Sequence, residues 1–288
     1  MRYRLIGQSG LRVSTIGFGT WALSGDFTWG PQDKSDALAA LHAAYEEGVT
    51  FFDTAPIYGN GIAEQWLGEA LGSVRDRIVI ATKAPPEELA PKALKAACDR
   101  SLENLKTEHI DLYQIHWPSA KAKIEDTLAA LGELRGAGKI RAFGVSNFGV
   151  KDLAPCVAQR EYMPAANQLA YNLLFRAIEY EIQPFCVKHQ IAILCYSPLL
   201  HGLLTGKFLT PDDVPVERAR TRHFSSKRPH TRHGEEGAEA ETFAAIDQIR
   251  AAARDLGEPM ANVALSWLLM REGVASVLVG ARNTAQAR

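Results

Sequence analysis

Apolar residues along the chain fall into two alternating textures. Short runs rich in Val, Ile, Phe and Tyr recur at 15–19 (TIGFG), 50–52 (TFF), 77–82 (RIVIAT), 111–115 (DLYQI), 140–145 (IRAFGV), 166–169 (ANQL), 191–196 (IAILCY) and 276–280 (SVLVG). Between them lie helix-length amphipathic stretches near 33–47, 62–72, 91–104, 122–137, 150–159 and 178–189, then two in succession near 240–256 and 259–271. The short runs read as strands, and strands alternating with helices imply a parallel sheet whose crossovers are the helices. Ahead of the first run, YRLI and RVSTI flank the turn GQSG, which predicts a short hairpin. Eight such units in 288 residues suit a closed barrel, typically about 250 residues long, better than an open doubly wound sheet. The expected fold is therefore α/β, a (β/α)8 TIM barrel with an N-terminal β-hairpin. Nothing in the chain reads as an interdomain linker, so residues 1–288 are expected to form one domain.

Gly17, Gly19 and Ala22 match the GxGxxA fingerprint of a Rossmann dinucleotide fold. From Thr20 the chain continues as TWALSGDFTWGPQD, a loop with two further glycines and a proline. The helix whose N-terminus would hold a pyrophosphate is missing, which argues against that fold.

Composition narrows the partners. With 47% hydrophobic and 23% charged residues and a formal charge of −1, the chain has no global field to recruit nucleic acid or an anionic membrane. No apolar run approaches the roughly 20 residues of a transmembrane helix. A small-molecule substrate is expected, and the sequence sets no oligomeric state. Cys98, Cys156, Cys186 and Cys195 are scattered without a CxxC spacing, and MRYRLIGQSG lacks an apolar leader core. A reducing cytoplasm is the expected location.

In a (β/α)8 barrel, residues at the carboxyl ends of the strands assemble the site. The second strand ends in Asp53 with Tyr58 on its loop, the third in Lys83 and the fourth in His116. Taken singly, each has a plain structural role: a turn cap, a half-buried ring, a solvated strand end, a core histidine. Jointly they converge on one rim. A phenol with a pKa near 10 exchanges protons poorly at neutrality, and a nearby ammonium is expected to lower that value. Asp53 would hold the lysine, and a histidine would polarise a carbonyl that the tyrosine protonates. No side chain delivers hydride, so a nicotinamide cofactor is implied. Ser146, Asn147 and Gln168 at the next strand ends suit its carboxamide, and Tyr196 its ring. Gly280 and Arg282 in GARNTAQ, at an expected helix start, suit a phosphate.

Beyond these residues, the chain resembles the aldo-keto reductases over essentially its whole length. The motifs are IGFGTWALSG, GVTFFDTAPIYGNGIAEQWLGEAL, IVIATK, DRSLENLKTEHIDLYQIHWP, GKIRAFGVSNF, NQLAYNLL, CYSPLLHGLLTGKF and VLVGARNTAQ. The resemblance implies a tetrad of Asp53, Tyr58, Lys83 and His116, with Tyr58 as acid and base. It assigns the carboxamide to Ser146, Asn147 and Gln168, and the ring to Tyr196. Ser197, Leu199, Gly202 and Lys207 would line the pyrophosphate passage, while Gly280, Arg282 and Gln286 would meet the adenosine phosphate end. The activity so implied is NADPH-dependent, reversible reduction of aldehydes or ketones. Trp21, Trp29 and Trp117, from segments opening at the same rim, are expected to wall the substrate pocket.

The family usually continues past the point corresponding to Arg288, with further adenine contacts. The 211–240 segment, with six Arg or Lys between 218 and 232, reads equally as a solvated loop or as a lid over the cofactor. His230 and His233 have a metal-like spacing but no third ligand at a known interval, so no metal is expected. Two other readings are a nucleotide-binding, redox-sensing module of the same fold and a metal-dependent barrel hydrolase. An intact tetrad argues against the first, and the lack of metal ligands at the strand ends against the second.

Overall fold

The computed structural model describes residues 1–288, apart from the side chain of Arg160. Two short strands, β1 (Tyr3–Leu5) and β2 (Arg12–Ser14), pair antiparallel as the expected hairpin. The barrel strands come next: β3 (Ile16–Gly19), β4 (Phe51–Asp53), β5 (Val79–Ala84), β6 (Ile110–Ile115), β7 (Ile140–Ser146), β8 (Ala166–Ala170), β9 (Ala192–Tyr196) and β10 (Val274–Val279). All eight pair in parallel, and β10 closes the ring onto β3.

The helices between them are α1 (Lys34–Glu46), α2 (Ile62–Leu71), α3 (Pro91–Leu105), α4 (Ile124–Gly136), α5 (Val150–Ala158), α6 (Ile182–Lys188), α7 (Glu239–Asp255) and α8 (Met260–Leu269). The ends carry local signals. Asp33 caps α1 by accepting from the Ser35 and Asp36 amides, and Pro91 opens α3, where its missing N–H has no intrahelical partner to lose. Helix α6 is shorter than the pattern over 178–189 predicts: a 3-10 turn covers Ala177–Glu179 and the helix begins two residues before Pro184, in the one turn that tolerates proline.

Three apolar clusters fill the molecule. The largest lies between the outward strand faces and the helices, with Phe52, Ile80, Tyr113 and Phe143 among its members. A second plugs the amino-terminal end of the barrel: Ile6, Leu11 and Val13 of the hairpin region pack on Phe51, Val79, Leu112 and Leu194. The third lies under the long connection after β9, where Leu203, Val214, Ala219 and Phe224 pack on Phe243 and Ile246 of α7 and Ala264 of α8. This corrects the solvated-loop reading of 211–240. Phe224 is 1% exposed, and Arg228 ties the segment to Asp212 and to Glu239 at the start of α7. No helix among the described residues is long and apolar enough to cross a membrane.

Candidate active site

The register of the parallel ladder brings strand ends level. Gly19 is paired with Asp53, Lys83 with Gln114, and Ser146 with Gln168. Polar side chains that end separate apolar runs in the sequence therefore meet on one rim. Lys83, fully buried, donates from Nζ to Asp53 Oδ1 at 2.6 Å, to the Thr54 carbonyl at 2.8 Å and to Tyr58 Oη at 3.4 Å. Tyr58 lies in the turn after β4. Its backbone N–H donates to Ala55 at 3.0 Å, and Gly59, Asn60 and Gly61 then take left-handed φ of 62°, 52° and 89°, turning the chain into α2. This backbone is the reason for GNG after the tyrosine, because glycine adopts positive φ without strain.

The other Asp53 oxygen accepts from Gln168 Nε2 at 2.7 Å and from Gln114 Nε2 at 3.2 Å. Both carboxylate oxygens are thus engaged, which fixes the group and through it the ammonium. Burial opposes the charge on Lys83, but Asp53 and Tyr58 together raise its pKa above the ordinary lysine value. For Tyr58 the balance differs from expectation. Lys83 does pull the phenol down, yet burial and the Asp53 charge outweigh it, and the net shift is upward. The His116 ring stands edge-on to the Tyr58 ring at 6.1 Å, and burial plus the Lys83 charge push its pKa down to about 3. At neutral pH the site holds a neutral phenol, a neutral imidazole and one buried ion pair.

Beside it lies a second network. Asn147, at a left-handed φ of 63°, donates from Nδ2 to Ser146 Oγ at 3.0 Å and to the His116 carbonyl at 3.1 Å, while its Oδ1 accepts from Tyr196 Oη at 2.9 Å. Ser146 Oγ in turn donates to the Gln168 carbonyl at 3.0 Å. Four residues from β7, β8 and β9 are therefore locked together, with the Tyr196 ring anchored by its hydroxyl.

Known proteins resemble this chain over nearly its whole length. The Aldo/keto reductase family model matches residues 15–288. An aldo-keto reductase of Bacillus subtilis, YhdN, is 34% identical over 99% of this chain and 86% of its own length. The structure of a glycerol dehydrogenase from Gluconobacter oxydans superposes with a TM-score of 0.82 at 31% identity, covering 99% of this chain and 87% of the other. An aldo/keto reductase from Klebsiella pneumoniae, solved with NADP and acetate, superposes at 0.78 and 26% identity over 100% and 88%. The chain belongs to the aldo/keto reductase family. It is accordingly an oxidoreductase with the family's barrel.

For an aldo/keto reductase, the remaining residues named from sequence divide into two groups. Along the passage after β9, Ser197, Leu200, His201 and Gly202 all have positive φ, and the Leu199 carbonyl accepts from the Gly202 and Leu204 amides. A Cβ on Gly202 would lie 2.8 Å from Lys207 Cε, so the glycine makes room for that lysine. Gly280 brings β10 against the end of β3, where a Cβ would come within 3.3 Å of the Gly19 carbonyl. Arg282 differs from expectation. Its guanidinium is not a free fork but grips the loop after β3, donating to Trp29 O at 2.7 Å, Gln32 Oε1 at 2.7 Å and Pro31 O. The helix expected behind it is the four-residue α9 (Thr284–Ala287), too short to act as an anion-binding terminus, and Gln286 accepts from the Arg282 amide at 2.9 Å.

Of the three tryptophans expected to wall a pocket, Trp21 stacks on Tyr58 at 6.4 Å and meets Trp29 edge-on at 5.6 Å, while Trp117 lies apart on the rim, 48% exposed. The sequence reading missed three participants. Gln114, two residues before His116 on the same inward strand face, was detectable from strand alternation. Asp26 accepts the Trp21 indole N–H at 2.6 Å and caps the Thr28 and Trp29 amides. His201 contacts both tryptophan rings, at 5.6 and 5.8 Å, and burial with nearby arginines lowers its pKa to about 4. His230 packs on Phe27, and His233 Nδ1 lies 3.0 Å from the Glu235 carbonyl, so the two do not gather a ligand set.

Proposed function

We propose that this protein reduces aldehydes or ketones to alcohols with NADPH, reversibly, with Tyr58 as general acid. The observation that carries the reading is the Tyr58 phenol, 3.4 Å from an ammonium that Asp53 holds in place. The residues fit a nicotinamide nucleotide: the Asn147 and Gln168 amides suit a carboxamide, the pinned Tyr196 ring a flat heterocycle, and Gly202 with Lys207 a phosphate. Bound NADPH supplies the hydride to the carbonyl carbon. Tyr58 gives its proton to the carbonyl oxygen as negative charge grows there, and the neutral His116 ring donates a hydrogen bond to the same oxygen. Lys83 stabilises the phenolate left behind, and Asp53 keeps Lys83 charged and aimed. Trp21 beside Tyr58 excludes water from the exchange.

Tyr58→Phe keeps the ring that packs on Trp21 and removes only the transferable proton. NADPH affinity, read by fluorescence titration, should hold while turnover of small aldehydes falls by about 10² to 10⁴. Near-wild-type turnover in the variant would rule out Tyr58 as the acid. The same experiment separates a catalyst from a redox-sensing module, in which nucleotide binding would persist without turnover in the wild type.

A further inference from the structure

The long connection after β9 treats its arginines in two ways. Arg222 pairs with Glu235, and Arg228 with Asp212 and Glu239. Among the described residues, Arg218 and Arg220 have no carboxylate partner; they lie instead over aromatic rings of the loop after β3. The Arg218 guanidinium sits 4.8 Å over the Trp29 ring and that of Arg220 lies 5.4 Å over the Phe27 ring. Arg220 is only 8% exposed, and its single hydrogen bond is to Thr28 Oγ1 at 2.6 Å. A guanidinium has five N–H donors in a fork matched to carboxylate geometry. Apart from the nitrogen bonded to Thr28, the Arg220 guanidinium nitrogens are open to solvent, so the fork has donors free for an anion arriving from outside. The loop after β3 holds an unmet donor of its own: the buried Trp29 indole N–H has no acceptor. The nearest opposing charge, Asp26, is already occupied by the Trp21 indole and two backbone amides.

A chain of touching aromatic rings joins these arginines to the reaction centre. Trp21 stacks on Tyr58, Trp29 meets Trp21 edge-on and Arg218 lies over Trp29, so a ligand with its carbonyl at Tyr58 reaches the arginines past two indoles. We propose that Arg220, with Arg218 and the Trp29 N–H, recognises a carboxylate on the far end of the carbonyl substrate, making this a reductase of acidic aldehydes or ketones. The inference rests on the carbonyl-reductase reading and adds the charge of the substrate to it.

The test compares 4-formylbenzoate with 4-formylbenzamide, which share ring, size and aldehyde and differ in charge. Wild-type kcat/KM should favour the carboxylate by about tenfold or more, the worth of one charge-assisted contact. Arg220→Gln should shrink that preference to under about threefold through KM, with NADPH dissociation constants within about twofold of wild type. A wild-type ratio near one overturns the proposal, and because that comparison needs no variant, it stands even if Arg220→Gln folds poorly. An Arg220→Gln variant in which NADPH binding weakens about tenfold and both aldehydes suffer equally also overturns it, by assigning the arginine to cofactor phosphate. Wild-type protein that binds NADPH but reduces neither aldehyde nor other small carbonyls would sink the reductase reading, and this inference with it.

Discussion

His116 and His201 are both half-buried neutral rings, with pKa values near 3 and near 4 against an unfolded value of 6.5. Below pH 6.5 the unfolded chain takes up protons that the native protein refuses, so stability present above 6.5 is lost as pH falls toward those values. Each histidine should contribute a slope of about 1.4 kcal/mol per pH unit within its window. Urea denaturation between pH 7 and 4.5 should show stability falling with acid, and His116→Gln should flatten that dependence; an unchanged slope would mean that His116 is not held neutral. The upward shift of Tyr58 has the opposite bearing. Its phenol stays protonated through neutrality, so reduction should hold its rate past the ordinary tyrosine range before declining, while alcohol oxidation, which needs phenolate, should gain only above that range. Asp53, Lys83 and His116 could be brought together from the sequence because each interrupts an apolar run at a strand end, and Tyr58 because it lies on the loop directly after one. Gln114 stood within such a run, legible only by strand alternation, and His201 sat in a loop where it takes a left-handed φ of 54° itself, which its residue type does not signal.

Among the elements, strand positions were readable to within a residue or two, since strands buried on both faces are nearly continuous apolar runs. The connection after β9 was not. Its anchors, Val214, Ala219 and Phe224, are spaced five apart among charges and match neither a helical nor a strand period. Arg282 shows the same limit, because its sequence neighbours point to phosphate while its fork closes on the carbonyls of the loop after β3. Arg282→Ala should therefore loosen the 29–32 segment, cost about 1 to 3 kcal/mol, and raise the Michaelis constants for NADPH and NADH alike. An effect confined to NADPH would mean that the arginine leaves the loop to hold the 2′-phosphate.

Across the whole molecule, chemistry and stability occupy opposite ends of the barrel. Alternation of strands and helices was enough to predict closure, but not that the hairpin would stop the far end. Leu11, 2% exposed in that plug, should cost about 2 to 5 kcal/mol when replaced by alanine. Thermal melting should shift while kcat/KM and NADPH affinity stay at wild-type values; a loss of activity in the folded variant would show that the two ends are coupled.

An enzyme that handles aldehydes must keep its own amines from condensing with them. In the proposed reaction Lys83 lies beside the proton donor, 3.4 Å from Tyr58 Oη, where an unprotonated lysine would be a nucleophile for imine formation. Held as an ammonium by Asp53 at 2.6 Å, it has no lone pair to offer. On that mechanism the buried ion pair would protect the catalyst from its own substrate, and loss of the Asp53 charge would turn a silent lysine into a site of self-inactivation.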